Sequence, residues 1–397
     1  MTFNSRVFSV TKEQPSLPYW RLSSFYFFNC AVLGAILPYW GLYMSSLSFA
    51  YAEIGIISAV LMASNIVAPY FWGWLCDHSG RRISIIRLGN FIAAVSFACL
   101  WMDDSFYTMV GLIFVCSFCW QGLNSQFEII TLNNLTGRVH VYSQIRLWGS
   151  VGFIAAVSAL GWVFESQPLT YLPIIVLSLL LFMWVTTLLV GDRNASVRQQ
   201  ANTPITENIR NPLILGLIVS VTLIYLSHGT YYGFYSIYLA ESGIDNSTIG
   251  MLWTLAVIAE LICFAVMAKL FHRIGIRPLF LFSVVMTAVR WLGIGYLPES
   301  LVMLAACQLL HGLSFSVVHA TVIELIRQHF GDHNQGRGQA LYCSICVGLG
   351  QAVGVGLSGW LWDWSHAGTF YLSAAIALLA GAIAWRWVYP KTLESAI

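Results

Sequence analysis

Charged side chains are scarce in this sequence. Asp, Glu, Lys and Arg make up only 9% of the 397 residues, whereas soluble domains carry about 25%. Hydrophobic residues make up 58%, and the mean hydropathy is +0.73. No soluble core holds that much apolar surface, so the composition predicts an all-α membrane protein that crosses the bilayer many times.

Signatures of catalysis and metal binding are also missing. The sequence has no glycine-rich phosphate loop, no G-x-S-x-G and no metal-ligand spacing. Two C-x-x-C pairs, Cys116/Cys119 and Cys343/Cys346, lie inside apolar runs without a second ligand pair, which favours a packing role. We therefore expect no enzyme activity, no metal, no cofactor and no nucleic-acid partner. A cleavable signal peptide is not expected either, because the first apolar run is too long.

Twelve apolar runs long enough to cross a bilayer are present. Their predicted limits are 22–46, 53–76, 82–101, 106–134, 143–165, 169–191, 213–240, 248–271, 277–297, 301–328, 337–362 and 367–389. One long polar interior stretch divides them into six and six. The predicted organisation is a tail at 1–20, a six-helix half at 21–191, a linker at 192–212, a second six-helix half at 213–390 and a tail at 391–397.

Loop charges predict the orientation in the membrane. Basic residues outside the spans fall on the side of the two termini, as at Arg138, Arg337 and Lys391. The opposite loops carry only acids: Glu53, Asp103, Asp104, Glu165, Glu241, Asp245, Glu299 and Asp363. By the positive-inside rule, both termini are expected in the cytoplasm.

The two halves repeat each other. Equivalent positions are Gly55 and Gly250, Gly80 and Gly275, and Gly161 and Gly359. Six-span halves related by an axis along the membrane normal predict a substrate site between the halves.

A loop with two glycines, an aspartate and two arginines joins spans two and three. The residues Gly73, Asp77, Gly80, Arg81 and Arg82 stand in the pattern G-x-L-x-D-x-x-G-R-R. This pattern resembles the loop signature of the major facilitator superfamily, which implies that fold. The glycines permit a tight turn, and Asp77 is expected to pair with a basic neighbour and lock a gate.

Two acid–base pairs lie deep in apolar spans. Glu260 is thirteen residues before Arg273, and Arg290 thirteen after Arg277, so both lie about 20 Å from the turn in a hydrocarbon core about 30 Å thick. Glu128 and Arg146 flank Gly137 at nine residues each, about 13 Å deep. Either these charges form packing salt bridges, or they line a polar cavity for a translocated substrate or ion.

Further candidates are histidines and aromatics. His311 and His319 share one face of span ten with Phe315 and suit a proton relay, or alternatively hydrogen bonds between helices. Possible substrate contacts, each also explained by packing, are Tyr39, Trp40, Phe153, His228, Tyr231 and Tyr232.

Several of these segments resemble the 3-phenylpropionate permease family. The matching residues include Tyr231-Tyr232-Gly233-Phe234, Ala259-Glu260, Val289-Arg290-Trp291, Gln308 to His311, and Ile145 to Val151. The resemblance implies proton symport of an aromatic carboxylate, driven by the proton gradient, by a monomer in the bacterial inner membrane. Its expected partners are a small-molecule substrate, protons and the lipid bilayer.

A more distant resemblance is to lactose permease and other oligosaccharide–proton symporters. It implies substrate binding by Glu128 and Arg146, and proton coupling by Glu260, Arg290 and His311. Two departures weaken the sugar interpretation: Ser314 replaces the proton-carrying carboxylate, and Phe153 replaces the sugar-stacking Trp. Glu260 is then the preferred proton carrier. The alternatives left open are a sugar or nucleoside symporter, a proton-antiport exporter and a sensor that does not transport.

Overall fold

The computed structural model describes residues 17–135, 138, 140–192 and 211–388, without side-chain detail at 331–333. This part of the chain forms twelve helices of membrane-spanning length. They are α1 (Tyr19–Ser46), α2 (Tyr51–Ser79), α3 (Arg82–Trp101), α4 (Phe106–Leu135), α5 (His140–Ser166), α6 (Leu169–Leu188), α7 (Pro212–Glu241), α8 (Asn246–Ile274), α9 (Ile276–Tyr296), α10 (Leu301–Phe330), α11 (Asn334–Trp362) and α12 (His366–Val388). The predicted all-α membrane fold is confirmed.

The predicted span limits agree with the helices to within a few residues. The helices α1, α5 and α11 each begin three residues earlier than predicted, at Tyr19, His140 and Asn334, because their polar first turns extend past the hydrocarbon region. The N-terminal tail, most of the linker, Gly137 and the C-terminal tail with Lys391 lie outside the described residues, so the predictions for them are not tested.

Three of the described helices contain wider, π-helical turns that the sequence did not predict. One is Gly312–Ser316 in α10, directly after His311. The others are Tyr342–Leu349 in α11 and Ala384–Val388 at the end of α12. Such turns are rare and occur often at functional sites, because they change the direction in which the following side chains point.

The turns on the face opposite the termini, here called the distal face, are fixed by side-chain caps. Asp245 accepts a hydrogen bond from the Thr248 backbone at 3.0 Å and starts α8. Ser300 and Ser365 start α10 and α12 in the same way. These caps satisfy N–H groups of the first turn. Hydrogen bonding from the Thr248 side chain, supported by Ser247 and the Thr248 backbone, holds the pKa of the Asp245 carboxyl below its usual value.

The two halves meet through α2 against α11 and α5 against α8. Glycines form the closest contacts: a methyl group added at Gly55 would lie 2.9 Å from the Cα atom of Gly359. One added at Gly250 would lie 3.3 Å from the Cα atom of Gly161. These four glycines are the positions that the repeat makes equivalent, so the two contacts are related by the pseudo-twofold axis.

Hydrogen bonds at the distal face also join the halves. The Tyr51 hydroxyl at the start of α2 donates to Glu241 at 2.6 Å, and His366 lies 3.1 Å from the other carboxylate oxygen. The side-chain amide of Asn246 donates to the Phe164 carbonyl at 3.0 Å. The structure is therefore closed at the distal face.

Substitution of Gly250 by leucine is expected to open the distal face. The added Cβ atom would lie 2.8 Å from the Val157 carbonyl oxygen, and a backbone atom moves only if α5 separates from α8. Spin labels at 165 and 247 should move apart by several ångströms in double electron–electron resonance. Gly111→Leu is the matched control, because a Cβ atom there meets nothing within 4 Å. An unchanged distance distribution in Gly250→Leu would contradict the role of the glycine contact.

Candidate functional site

Glu128 of α4 and Arg146 of α5 form an ion pair, as their equal depth predicted. One guanidinium nitrogen of Arg146 donates to Glu128 at 3.3 Å and to the Tyr142 hydroxyl at 3.2 Å. The Tyr142 hydroxyl in turn donates to the other oxygen of Glu128. Sequence reasoning missed Tyr142, although it precedes Arg146 by four residues and therefore shares its face of the helix.

This ion pair faces the second half of the protein. The side chains of Arg146 and Glu128 are 48% and 38% exposed. Arg146 lies near His319 of α10, and Glu128 lies near Cys343 of α11. We call the space between Glu128, Arg146, His319 and Cys343 the central cleft. Because these groups come from both halves, the central cleft lies between the halves.

The second-half wall of the central cleft contains a chain of hydrogen bonds. The Nδ1 atom of His319 lies 2.8 Å from the Tyr342 hydroxyl, which lies 2.5 Å from the hydroxyl of Tyr225 in α7. The π-helical turn in α11 carries both Tyr342 and Cys343. Neither tyrosine was among the candidates from the sequence.

Glu260 of α8 lies between the central cleft and the protein interior. Its carboxylate oxygen is 2.6 Å from the Nε2 atom of His311. The Glu260 side chain is 19% exposed and that of His311 is 3% exposed. Glu260 also lies close enough to His319 for their charges to interact. This carboxylate therefore has access to the cleft on one side and to buried groups on the other.

Arg290 of α9 is fully buried behind His311. It donates to the Cys307 carbonyl and to the side-chain oxygen of Gln308, both at 3.1 Å. Its guanidinium lies 4.1 Å from the ring centre of Tyr231 and 4.6 Å from that of Trp291. Arg290 and Glu260 lie at equal depth, but they do not form a direct ion pair, because the partner of Glu260 is His311. Arg290 does not line the central cleft.

Most of the aromatic candidates are packing residues in this conformation. Tyr39 is buried and donates to the Val157 carbonyl at 2.8 Å. Trp40, Phe153 and Tyr231 are buried, the last donating to Gln308 at 3.1 Å. Tyr232 is partly buried.

His228 is buried rather than exposed to the cleft. Its Nδ1 atom lies 2.8 Å from the Ile224 carbonyl oxygen, and its ring packs on Trp291 with centroids 4.9 Å apart. The structure therefore places His228 with the Arg290 and His311 cluster.

The loop after α2 has the pairing that its pattern predicted. Asp77 forms an ion pair with Arg82 at 2.5 Å, and Arg82 also donates to Gln126 of α4 at 3.1 Å. Gly80 ends α2 with a φ angle of 63°, a conformation that favours glycine, while Arg81 is exposed and Gly73 approaches Gln126. These contacts join α2, α3 and α4 within one half.

Comparison with known proteins agrees with this architecture. The model of the MFS_1 like family matches residues 19–373. The chain belongs to the MFS_1 like family. It is an MFS-type transporter, a multi-pass membrane protein and not an enzyme.

Several curated relatives of this MFS-type transporter cover nearly all of its length. A probable 3-phenylpropionic acid transporter of Escherichia coli (strain K12) is 26% identical over 93% of this chain and 96% of its own. The maltose permease of Geobacillus stearothermophilus is 24% identical over 90% and 91%. A crystal structure of the nucleoside transporter NupG superposes with a TM-score of 0.80 at 18% identity, covering 94% of this chain and 99% of NupG. That likeness shows the major facilitator fold.

Proposed function

We propose that this transporter imports a small aromatic carboxylate together with protons. The observation that carries this proposal is the arrangement around the central cleft. An accessible guanidinium, Arg146, lies on one wall, while a carboxylate with one buried histidine partner, Glu260, lies at the other. The first group suits an anionic substrate, and the second suits a proton.

Arg146 is the proposed substrate anchor. One of its terminal nitrogens is committed to Glu128 and Tyr142, which leaves the rest of the guanidinium available for a carboxylate. Charge-assisted hydrogen bonds from the planar guanidinium group to a carboxylate are short and directional. Arg290 is less suitable as the anchor, because its side chain is fully buried and its guanidinium packs on the rings of Tyr231 and Trp291.

Phe315 and His319 are the proposed surface for the substrate ring. The Phe315 ring lies between the rings of His311 and His319, with centroid distances of 5.5 and 6.4 Å. His319 lies across the cleft from Arg146. A carboxylate on Arg146 thus has an aromatic face within reach on the opposite wall, as a phenylpropionate-like molecule requires.

Glu260 is the proposed proton carrier, and His311 its partner. Intramembrane carboxylates and histidines of this kind are typical of proton pathways. Rocking of the two halves about the cleft would expose Glu260 to each side in turn. In this proposal both termini are cytoplasmic, the protein works as a monomer in the bacterial inner membrane, and the proton gradient supplies the energy without a cofactor.

Sugar or nucleoside symport is the second candidate. The Glu128 carboxylate presents acceptors, and the free N–H groups of Arg146 present donors, that suit the hydroxyl groups of a sugar ring. The relatives named as a maltose permease and a nucleoside transporter support this alternative.

A counterflow screen in proteoliposomes tests both candidates. The panel is 3-phenylpropionate, cinnamate, lactose, maltose and uridine, each with and without an imposed pH gradient. We expect counterflow of the aromatic carboxylates, with uphill accumulation when the outside is acidic. Counterflow of maltose or uridine alone would favour the second candidate. Substrate accumulation that occurs only when protons move in the direction opposite to the substrate would indicate a proton-antiport exporter.

A further inference from the structure

Arg290 and two neighbouring histidines each have a buried polar atom without a hydrogen-bond partner among the residues that the structure describes. These atoms are Arg290 Nη1, His311 Nδ1 and His228 Nε2. Arg290 and His228 are less than 2% exposed, and His311 is 3% exposed. Buried polar atoms are almost always hydrogen-bonded in native proteins, so a cluster of three indicates a bound polar molecule. The side-chain nitrogen of Gln308 does not belong to this cluster, because it lies within reach of the Tyr235 hydroxyl.

The three atoms are one donor and two acceptors. A guanidinium nitrogen can only donate. His228 Nδ1 faces the Ile224 carbonyl and must donate to it, which leaves Nε2 as an acceptor. His311 Nε2 faces the Glu260 carboxylate. When it donates there, Nδ1 becomes an acceptor.

The two histidine rings are separated by a distance that one small molecule spans. Their centroids lie 6.4 Å apart, which is too far for a direct bond between ring nitrogens. Two hydrogen bonds in series span about 5–6 Å. Arg290 belongs to the same cluster, because its guanidinium and both histidine rings all contact Trp291 or Tyr231.

We propose that an internal water molecule joins Arg290, His311 and His228. The water oxygen accepts from Arg290, and its two hydrogens are donated to His311 Nδ1 and His228 Nε2. A buried water typically makes about three hydrogen bonds, as this one does. An anion does not fit, because the two acceptor nitrogens would repel it.

The consequence concerns the tautomer of His311. A water that donates to Nδ1 keeps the proton of the neutral ring on Nε2, where it is donated to Glu260. His228 is then a positioning residue: it holds the second hydrogen of the water and so orients the first. This part rests on the proposed proton symport, since it explains how the buried cluster stabilises the ionised form of Glu260.

Solid-state nitrogen NMR of histidine-labelled protein in lipid tests the inference without any substrate. His311, assigned by loss of its signals in His311→Gln, should show a protonated Nε2 and a hydrogen-bonded, unprotonated Nδ1. His228→Asn retains a donor for the Ile224 carbonyl and removes the acceptor at Nε2. In that variant the Nδ1 signal of His311 should shift toward that of a ring without a hydrogen bond. A proton on Nδ1, or no change in His228→Asn, would overturn the proposal.

The pH profile of transport supplies a second readout. In His228→Asn, the midpoint of proton-driven 3-phenylpropionate uptake should move by about one pH unit to higher pH, the effect of one lost hydrogen bond to the coupled group. His228→Gln, whose amide reaches the Nε2 position, should restore it. His272→Asn, an exposed site, is the control. A wild-type protein that moves no 3-phenylpropionate would count against the proposed function, while the NMR result decides the water site independently.

Discussion

Substitution of Glu260 by glutamine is expected to abolish proton-driven accumulation and to leave substrate exchange within a few-fold of wild type. The amide oxygen still accepts a hydrogen bond from His311, which lies 2.6 Å from the carboxylate, but the amide cannot carry a proton. The measurement is uptake of labelled 3-phenylpropionate into proteoliposomes, with an imposed pH gradient for accumulation and equal concentrations on both sides for exchange.

Glu324→Gln is the matched control for this substitution. Glu324 is also an acid on a spanning helix, but it is paired with Arg327 at 2.6 Å near the end of α10. Accumulation should persist in this variant. Uphill uptake at the wild-type level in Glu260→Gln would rule out Glu260 as the proton carrier, and His319 would then be the next group to test.

Substitution of Arg146 by lysine is expected to weaken binding of the carboxylate substrate by about 10- to 100-fold. Lysine keeps the positive charge but loses the planar fork that binds a carboxylate through two parallel hydrogen bonds, and one hydrogen bond to a charged group contributes about 1.5–3 kcal/mol. The measurement is the dissociation constant of 3-phenylpropionate for purified protein, obtained by isothermal titration calorimetry.

Two controls separate loss of the anchor from general damage. Arg21→Lys, at an exposed residue that donates to the Leu189 carbonyl at 3.3 Å, should bind the carboxylate normally. Competition by the neutral alcohol 3-phenylpropanol should be unchanged in Arg146→Lys, because that molecule has no carboxylate for the fork. Equal affinities of wild type and Arg146→Lys for 3-phenylpropionate would exclude Arg146 as the anchor.

The sequence predicted the fold well because the bilayer constrains it strongly. Backbone polar groups in lipid must be satisfied within a helix, so apolar length alone located the twelve spans. The repeat glycines were also informative, since Gly55 and Gly250 occur where two helices must approach closely. The pairing of Glu128 with Arg146 followed from equal distance to one turn, and the structure shows it at 3.3 Å.

The partner of Glu260 could not be predicted in the same way. Distance from a turn gives depth, but it does not give the rotation of a helix about its axis. Arg290 has the same depth as Glu260, yet its side chain is turned toward Gln308 and Tyr231, and His311 occupies the position next to the carboxylate. Tyr342 was missed because the π-helical turn that directs it toward His319 leaves no simple pattern in the sequence.

These wide turns have a mechanical consequence for a protein that must alternate between two shapes. A π-helical turn holds one residue more than an α-helical turn. If the turn at Gly312–Ser316 tightened, everything after it in α10 would advance by about 1.5 Å and rotate by about 100°. His311 precedes the turn and His319 follows it, so one local exchange of backbone hydrogen bonds would re-aim one histidine while the other stayed beside Glu260.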